Sequence, residues 1–189
     1  MDPLCEKLLI IFQNVNDWLK FAEAKNAVLF AFSGTGVTAM VTLLATAQNL
    51  PGSLKVGLLL TTGLLCVCMF LCALSFLPST NLEKILWNRG RSFNAMQPKP
   101  DDDNLYYFGH LRKYGAVELL DTVNRLYLNG TVATPYGKEA RDIATQITSN
   151  AGIAFRKYKF FTYSLYFLIF SILSVPVLVL LNLLIFRGL

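Results

Sequence analysis

Three long uncharged stretches dominate the pattern of polar and apolar positions along the chain. No charged residue occurs between Lys25 and Lys55, between Lys55 and Glu83, or between Lys159 and Arg187. Each stretch exceeds the ~20 apolar residues that an α-helix needs to span the hydrocarbon core of a bilayer. The pattern therefore predicts three transmembrane helices, at residues 27–48, 56–77 and 160–186.

An amphipathic helix is predicted before the first span, over residues 4–24. Its apolar positions recur at intervals of three and four: Leu4, Leu8, Ile11, Val15, Trp18 and Ala22. Two placements are compatible with this pattern. The helix could lie in the membrane interface and move on activation, or its apolar face could pack on a soluble domain.

The charged segment that begins at Lys138 is predicted to continue as one helix into the third span. One stripe at helical spacing runs through both parts: Ile143, Ile147, Asn150 or Ala151, Ala154, Tyr158 and Phe161. A helix of roughly 45–50 residues would be about 70 Å long, which is more than twice the thickness of the hydrocarbon core. We therefore expect this helix to connect a soluble region to the membrane.

Residues 78–159 are predicted to form a mostly helical soluble region. Residues 88–104 contain Pro98, Pro100 and three consecutive aspartates, which is typical of a linker. A helix is predicted over 116–128, with Val117, Leu120, Val123 (or Asn124) and Tyr127 on one face. The whole chain is thus expected to be an all-α membrane protein.

Four parts follow from these elements. They are an amphipathic cytoplasmic or interfacial helix at 1–26, a transmembrane hairpin at 27–77, a cytoplasmic helical sensing region at 78–159, and a third transmembrane helix at 160–186.

The distribution of charge predicts the orientation of the chain. Only 15% of the 189 residues are charged, and the net charge is +5. Basic residues precede the first span and recur between Glu83 and Lys159, whereas the hairpin loop carries only Lys55. By the positive-inside rule, the N-terminus and residues 78–159 are expected to lie in the cytoplasm. The same rule accounts for the net charge without a DNA or RNA partner.

Residues 104–114 combine aromatic and basic side chains more densely than the rest of the soluble region. Aromatic faces stack on nucleobases, and arginine or lysine can hold a phosphate. The candidate ligand-binding residues are Tyr106, Tyr107, Phe108, His110, Arg112 and Lys113. The alternative is that the aromatic rings form the core of a small domain, with Arg112 and Lys113 facing anionic lipid headgroups.

Catalytic and metal sites are not expected. The sequence has no phosphate-binding loop before a helix, no set of nucleophile, histidine and acid, and no carboxylate within a span. Cys66, Cys68 and Cys72 lie within the second span, where cysteines act as small apolar residues. Asp101, Asp102 and Asp103 could in principle bind a divalent ion, but solvated charge at a helix start is much commoner.

A stripe of small residues runs along the first span. Its members are Ala27, Ala31, Thr35, Thr38, Thr42 and Ala45. Small faces allow helices to approach closely in lipid. The stripe is therefore expected to pack either on the second span or on a neighbouring subunit.

Three motifs resemble those of a known family. Ala22-Glu23-Ala24-Lys25-Asn26 enters the hairpin, Asn104-Leu105-Tyr106-Tyr107-Phe108-Gly109-His110 follows it, and Asp142-x-x-x-Gln146-Ile147 with Arg156-Lys157-Tyr158 leads into the last span. In this order they resemble the transmembrane Pycsar effectors, bacterial anti-phage proteins that respond to cyclic nucleotides.

The resemblance implies a function in abortive infection. A partner cyclase would produce cyclic CMP, cyclic UMP or a cyclic oligonucleotide, and the effector, expected to be a homo-oligomer, would bind it and impair the inner membrane. Asp142, Gln146, Arg156, Lys157 and Tyr158 would belong to the helix that couples binding to the membrane. The alternative is a small membrane-anchored scaffold that binds a protein partner, with neither ligand nor pore activity.

Overall fold

The computed structural model describes residues 2–47, 50–77 and 101–186. Within these ranges the chain forms α-helices and no β-strand, which confirms the all-α prediction. The helices are α1 at Pro3–Thr46, α2 at Gly52–Ser75, α3 at Phe108–Leu111, α4 at Ala116–Tyr127 and α5 at Lys138–Phe186. The predicted linker at 88–104 falls mainly on residues 88–100, which lie outside these ranges.

Three of the described helices are long and apolar enough to cross a membrane. They are α1, α2 and the Lys138–Leu184 part of α5. The predicted lead-in helix and first span form one helix of 44 residues, and the coupling helix and third span form one of 49. An α-helix of 49 residues is about 70 Å long, so it is longer than a span requires.

The described residues divide into two compact units. The first unit, called the sensor unit below, contains residues 2–22 and 101–158. The second, called the membrane unit, contains residues 23–47, 50–77 and 159–186. Helices α1 and α5 each contribute residues to both units.

The lead-in part of α1 packs inside the sensor unit. Leu4, Leu8, Ile11 and Val15 have no exposed surface and belong to one apolar core with residues of α3, α4 and α5. Burial of these side chains removes apolar surface from water and is the main stabilising contribution to such a unit. Of the two predicted placements, the structure therefore shows packing on the soluble domain.

Helix α4 buries the middle of the predicted face but not its two ends. Leu119, Leu120 and Val123 are buried, but Val117 is 59% exposed and Tyr127 is 38% exposed. The prediction was wrong for these two residues, the first and last of the predicted face, whereas its alternative Asn124 is buried. Its side chain accepts a hydrogen bond from the Val132 backbone N–H at 3.1 Å and donates one to the Val132 carbonyl at 3.0 Å. This pair of bonds holds the following loop against α4.

Hydroxyl and thiol groups connect the helices of the membrane unit. The Thr61 and Ser174 hydroxyl oxygens lie 2.6 Å apart, and Ser33 Oγ lies 3.1 Å from Cys68 Sγ. A Cβ at Gly57 would be in ordinary van der Waals contact with α5, at 3.5 Å from the Val175 Cα. Polar pairs and small residues are the usual means of helix association where lipid surrounds the protein.

Candidate functional site: a cationic cavity in the sensor unit

A cavity of about 730 Å³ lies in the sensor unit. One wall is formed by residues 112–118, which connect α3 to the first turn of α4, and the other by Thr148, Ser149 and Gly152 of α5. This volume falls in the range of sites that enclose small molecules, about 300–1,000 Å³. The first wall includes Arg112 and Lys113, so the cavity carries two of the cationic side chains that the sequence singled out.

Arg112 is held against an aromatic ring of α5. Its guanidinium carbon lies 3.5 Å from the centroid of the Phe155 ring. At this distance the guanidinium lies over the face of the ring, which is the geometry of a cation–π contact. The contact holds the Arg112 side chain against α5.

Lys113 is held in a different way, by a buried carboxylate. Its Nζ donates a hydrogen bond to Asp103 Oδ1 at 2.9 Å, and the Tyr114 hydroxyl donates one to Oδ2 at 3.1 Å. The Asp103 side chain is only 5% exposed. Burial opposes ionisation of Asp103, but the two hydrogen bonds and the Lys113 charge outweigh it and hold the pKa below its ordinary value.

Burial and the same carboxylate act together on Tyr114. Loss of solvent and the hydrogen bond to Asp103 both raise the pKa of the Tyr114 hydroxyl. The group therefore stays protonated at neutral pH and remains a donor. Asp103, Lys113 and Tyr114 thus form a hydrogen-bonded cluster, and Lys113 and Tyr114 are part of the cavity wall.

His110 closes a turn. The backbone N–H of Asn104 donates to His110 Nδ1 at 2.8 Å, so the neutral ring carries its proton on Nε2. Nδ1 also lies 3.3 Å from Asp103 Oδ1, but it cannot donate to that oxygen while it accepts from Asn104. The hydrogen bond from the Asn104 N–H, and not an ion pair with Asp103, therefore holds the neutral ring in place. Asn104 Oδ1 accepts in turn from the Tyr106 N–H at 2.9 Å, so the first and last residues of the Asn104–His110 motif stabilise its backbone.

The aromatic residues of the motif have separate roles. Phe108 is 5% exposed, and its ring contacts the rings of Trp18 and Tyr158. The Tyr107 ring covers Gly109 so closely that a Cβ at this position would collide with Tyr107 Cε1. Tyr106 is partly buried beside Tyr127, with ring centroids 6.2 Å apart.

The structure thus brings two of the six candidate ligand-binding residues to the cavity. Arg112 and Lys113 line it, whereas Tyr106, Tyr107, Phe108 and His110 are not among its lining residues. Ligand contact by any of the six stays a prediction.

The candidate coupling residues of α5 differ in exposure. Asp142 and Gln146 are exposed, one helical turn apart, and Arg156, Lys157 and Tyr158 are partly buried. Tyr158 stacks on Phe108, with ring centroids 4.9 Å apart.

Sequence reasoning missed the α5 wall of the cavity and the ring of Phe155. One signal was available: Gly152 interrupts a strong helical pattern, at a cost of about 1 kcal/mol relative to alanine. A Cβ at Gly152 would meet no heavy atom within 4 Å. The glycine therefore opens space beside α5.

The three consecutive aspartates are mainly bound to protein groups. Asp101 forms a two-point ion pair with Arg125 at 2.7 and 2.8 Å, and Asp103 belongs to the cluster with Lys113. Within residues 2–47, 50–77 and 101–186, no group of three or more histidine, cysteine or acidic side chains could hold a metal ion.

Fold and cavity together define a class, a helical membrane protein with three apolar helices of spanning length and a sensor unit that contains a cationic cavity. Comparison with known proteins identifies the family. The sequence model of the Pycsar effector protein domain matches residues 7–185, so the chain belongs to the Pycsar effector family and is a membrane effector of anti-phage defence.

A curated relative supports the same assignment. The chain is 30% identical over 165 residues to the Pycsar effector protein RsPycTM of a Rhizobium species, and the match covers 85% of this chain and 86% of the relative. No solved structure matches significantly.

Proposed function

We propose that this protein is activated by a cyclic nucleotide second messenger and then impairs the integrity of the bacterial inner membrane, which ends the infection together with the infected cell. The messenger would be cyclic CMP, cyclic UMP or a cyclic oligonucleotide made by a partner cyclase. The sensor unit would face the cytoplasm, as the distribution of basic residues predicts. The loss of membrane integrity would be caused by the membrane unit, without a catalysed reaction.

The cavity is the observation that carries this proposal. It is large enough for a mononucleotide, and Arg112 and Lys113 supply positive charge for a phosphate. The first turn of α4 contributes backbone N–H groups to the same wall. The exposed side chain of Val117, which also lines the cavity, offers apolar surface for a base or sugar.

Helix α5 supplies a route from the cavity to the membrane. Thr148, Ser149 and Gly152 line the cavity, and the same helix continues without interruption to Phe186. A ligand shifts a conformational equilibrium only through its different affinities for the two states. A ligand that contacts α5 more closely in the active state would therefore act directly on the helix that forms the third span.

The stripe of small residues supports a homo-oligomer. Ala27, Ala31, Thr35, Thr38, Thr42 and Ala45 are all exposed, so the stripe does not pack on α2 within the chain. The Thr35, Thr38 and Thr42 hydroxyls donate to carbonyls one turn earlier at 2.8–3.1 Å. Their protons are thus satisfied within the helix, and the face can pack closely on another copy in lipid.

Dye release from liposomes tests the proposal. The full-length protein is reconstituted with an encapsulated dye, and cyclic CMP, cyclic UMP and cyclic oligonucleotides are added separately. At least one nucleotide is expected to release the dye. Release by none of them, together with no nucleotide-induced thermal shift, would contradict the proposal, and capture of one stable protein partner would then favour the scaffold.

Blocking the cavity makes the test specific to the site. Gly152→Trp would project a large ring into the cavity, because a side chain at this position meets no atom near the backbone. Gly152→Ala adds only one carbon and is expected to respond normally. Ala133→Trp places the same ring on an exposed loop and is the matched control. Loss of response in Gly152→Trp alone would locate the site in the cavity.

A further inference from the structure

The membrane unit has polar side chains between its helices and large apolar side chains on its outside. Phe32, Phe70 and Phe170, one from each of its three helices, are 58–61% exposed. An apolar outer surface suits lipid tails, whereas hydroxyl groups lose free energy when they leave water. The buried polar residues of the unit nevertheless include several hydroxyl groups: Asn26, Ser33, Thr61, Ser75, Ser164, Ser171 and Ser174.

Polar contacts cross from helix to helix inside this unit. The Thr61 hydroxyl of α2 lies 2.6 Å from the Ser174 hydroxyl of α5, and Ser33 Oγ of α1 lies 3.1 Å from Cys68 Sγ of α2. The Ser164 hydroxyl is also fully buried, but it has neither an oxygen nor a nitrogen partner in the described part of the chain. A buried hydroxyl without such a partner is costly, and water that reached it in a more open state would satisfy it.

The polar positions of α2 and α5 each lie on one face of the helix. Thr61 and Cys68 are seven residues apart on α2. Ser164 and Ser171 have the same spacing on α5, which is about two helical turns and returns to nearly the same face. Each face is about 15 Å long, roughly half the thickness of the hydrocarbon core. The two faces, with the α1 residue that contacts them, are called the polar seam below: Ser33, Thr61, Cys68, Cys72, Ser164, Ser171 and Ser174.

We infer that the polar seam lines a water-filled pathway through which the activated protein permeabilises the membrane. This inference rests on the proposed function and adds to it the route, which water and small ions take once α5 moves away from α2. Polar groups keep such a pathway wet, whereas an apolar constriction expels water. The seam residues are all uncharged, so the pathway selects little between cations and anions, because that selection comes from charged side chains.

Helix α5 connects the seam to the cavity. Ser149 and Gly152 line the cavity, and Ser164, Ser171 and Ser174 lie further along the same helix. A ligand that binds more tightly when α5 is displaced stabilises the displaced position. The seam then meets water without any charged side chain having to enter the hydrocarbon core, which would be costly.

Labelling of the native thiols in the wild-type protein tests the inference. Cys68 and Cys72 belong to the seam and are buried, whereas Cys66 on the same helix is exposed. The full-length protein is reconstituted in liposomes and treated with a charged, membrane-impermeant maleimide, with and without cyclic CMP, cyclic UMP or a cyclic oligonucleotide. Tandem mass spectrometry then locates the adduct on each cysteine, so Cys66 serves as an internal control.

Labelling of the seam thiols should depend on the nucleotide. Thiols react with maleimide as thiolates in water, so a nucleotide that releases dye should raise labelling of Cys68 and Cys72 about tenfold and that of Cys66 less than about twofold. Dye release with unchanged labelling of both seam thiols, or with an equal rise at Cys66, would overturn the inference and leave the proposed function standing. Failure of every nucleotide to release dye contradicts the proposed function itself.

The exposed stripe of α1 is the other polar surface that a pathway could use, in that case between copies of the chain. Thr38→Cys places a thiol on that stripe in an otherwise wild-type chain. Nucleotide-dependent labelling of the new thiol, with Cys68 and Cys72 unlabelled, would assign the pathway to the stripe and overturn its assignment to the seam. Labelling of Cys68 and Cys72 alone supports the seam.

Charge attached to the seam gives an independent readout. Cys66→Ala keeps both seam thiols, and the double variant Cys68→Ala with Cys72→Ala is the matched control. In planar bilayers under a salt gradient, a positively charged methanethiosulfonate adduct should shift the reversal potential toward anion selectivity and a negatively charged one toward cation selectivity. The reason is that a fixed charge beside a narrow pathway favours ions of the opposite sign. The control should show neither shift, and equal potentials with both adducts on Cys66→Ala would overturn the inference.

Discussion

The ring of Phe108 lies almost flat on the ring of Tyr158, with centroids 4.9 Å apart and planes 10° from parallel. Trp18 contacts both rings, with centroids 5.5 Å from Phe108 and 6.1 Å from Tyr158. One aromatic cluster therefore joins α1, α3 and α5 within the sensor unit. Aromatic pairs of this kind add about 0.5–1.5 kcal/mol beyond the burial of their surface.

Loss of the Phe108 ring should strongly destabilise the sensor unit. Phe108→Ala leaves a cavity between two other rings, and such changes cost about 3–5 kcal/mol. Thermal unfolding can be followed by the fluorescence of Trp18, after the second tryptophan of the chain is removed by Trp87→Phe. Val117→Ala, at a position 59% exposed, is the control and should melt close to wild type. Equal melting of the two variants would show that the aromatic cluster does not stabilise the unit.

Gly109→Ala is expected to conflict with Tyr107 and not with the backbone. The new Cβ would collide with Tyr107 Cε1, so the half-exposed ring must swing outward. In a Tyr107→Ala background the conflict disappears, and alanine then stabilises the helix by up to about 1 kcal/mol relative to glycine. A double-mutant cycle on melting temperature should thus give a clear coupling between the two positions. Additive effects would argue against the contact.

Acid should weaken the sensor unit through Asp103. Its folded-state pKa lies below the ordinary value of 3.8, so the carboxylate is ionised more readily in the folded than in the unfolded chain. The resulting stabilisation is fully present above the unfolded-state pKa and is lost as the pH falls through the lower, folded-state pKa. Wild type should therefore lose stability below about pH 4, and Asp103→Asn should lose less over the same range.

A matched control for this pH dependence is available two residues earlier. The pKa of Asp101 is also lowered, by its hydrogen bonds and charge interaction with Arg125, but this pair is exposed. Exposed ion pairs contribute little to stability because solvent screens them. Asp101→Asn should therefore keep the acid sensitivity of wild type. If Asp101→Asn removes it and Asp103→Asn does not, the buried cluster is not its origin.

Larger side chains on the small-residue stripe should weaken self-association. Ala31→Leu and Thr38→Leu add bulk to the exposed face of α1, where a second copy would need close approach. Crosslinking in liposomes is expected to show fewer oligomers for both variants. Val41→Leu enlarges another exposed position of the same helix and should crosslink like wild type. Unchanged crosslinking in Ala31→Leu and Thr38→Leu would show that the stripe is not part of an interface between copies.

Local sequence determined the helical class, the three apolar helices and the continuity of α5, whereas the continuity of α1 was not predicted. Each of these depends on residue types within one segment. Apolar residues that recur with a period near 3.6 indicate a helix. The length of the uncharged stretch then decides whether that helix can cross a bilayer. The motifs around Asn104–His110 and Asp142–Tyr158 also identified the family from the sequence.

Tertiary structure decided which face of each helix is buried and which is exposed. An apolar stripe on a helix is about 100° wide, so spacing alone did not reveal that Val117 is exposed and Leu119 buried, or that Asn124 would hold a loop. The same limit applied to the small stripe of α1, whose exposure depends on where α2 packs.

The cavity likewise depends on packing between distant segments. Residues 112–118 and 148–152 are separated by about thirty residues along the chain, and no local pattern states that they face each other. The contact between Arg112 and Phe155 exists only because α5 packs beside the start of α4. Sequence identified the charge that a phosphate would need, and the packing of the helices decided which of the two neighbouring cations rests on a ring.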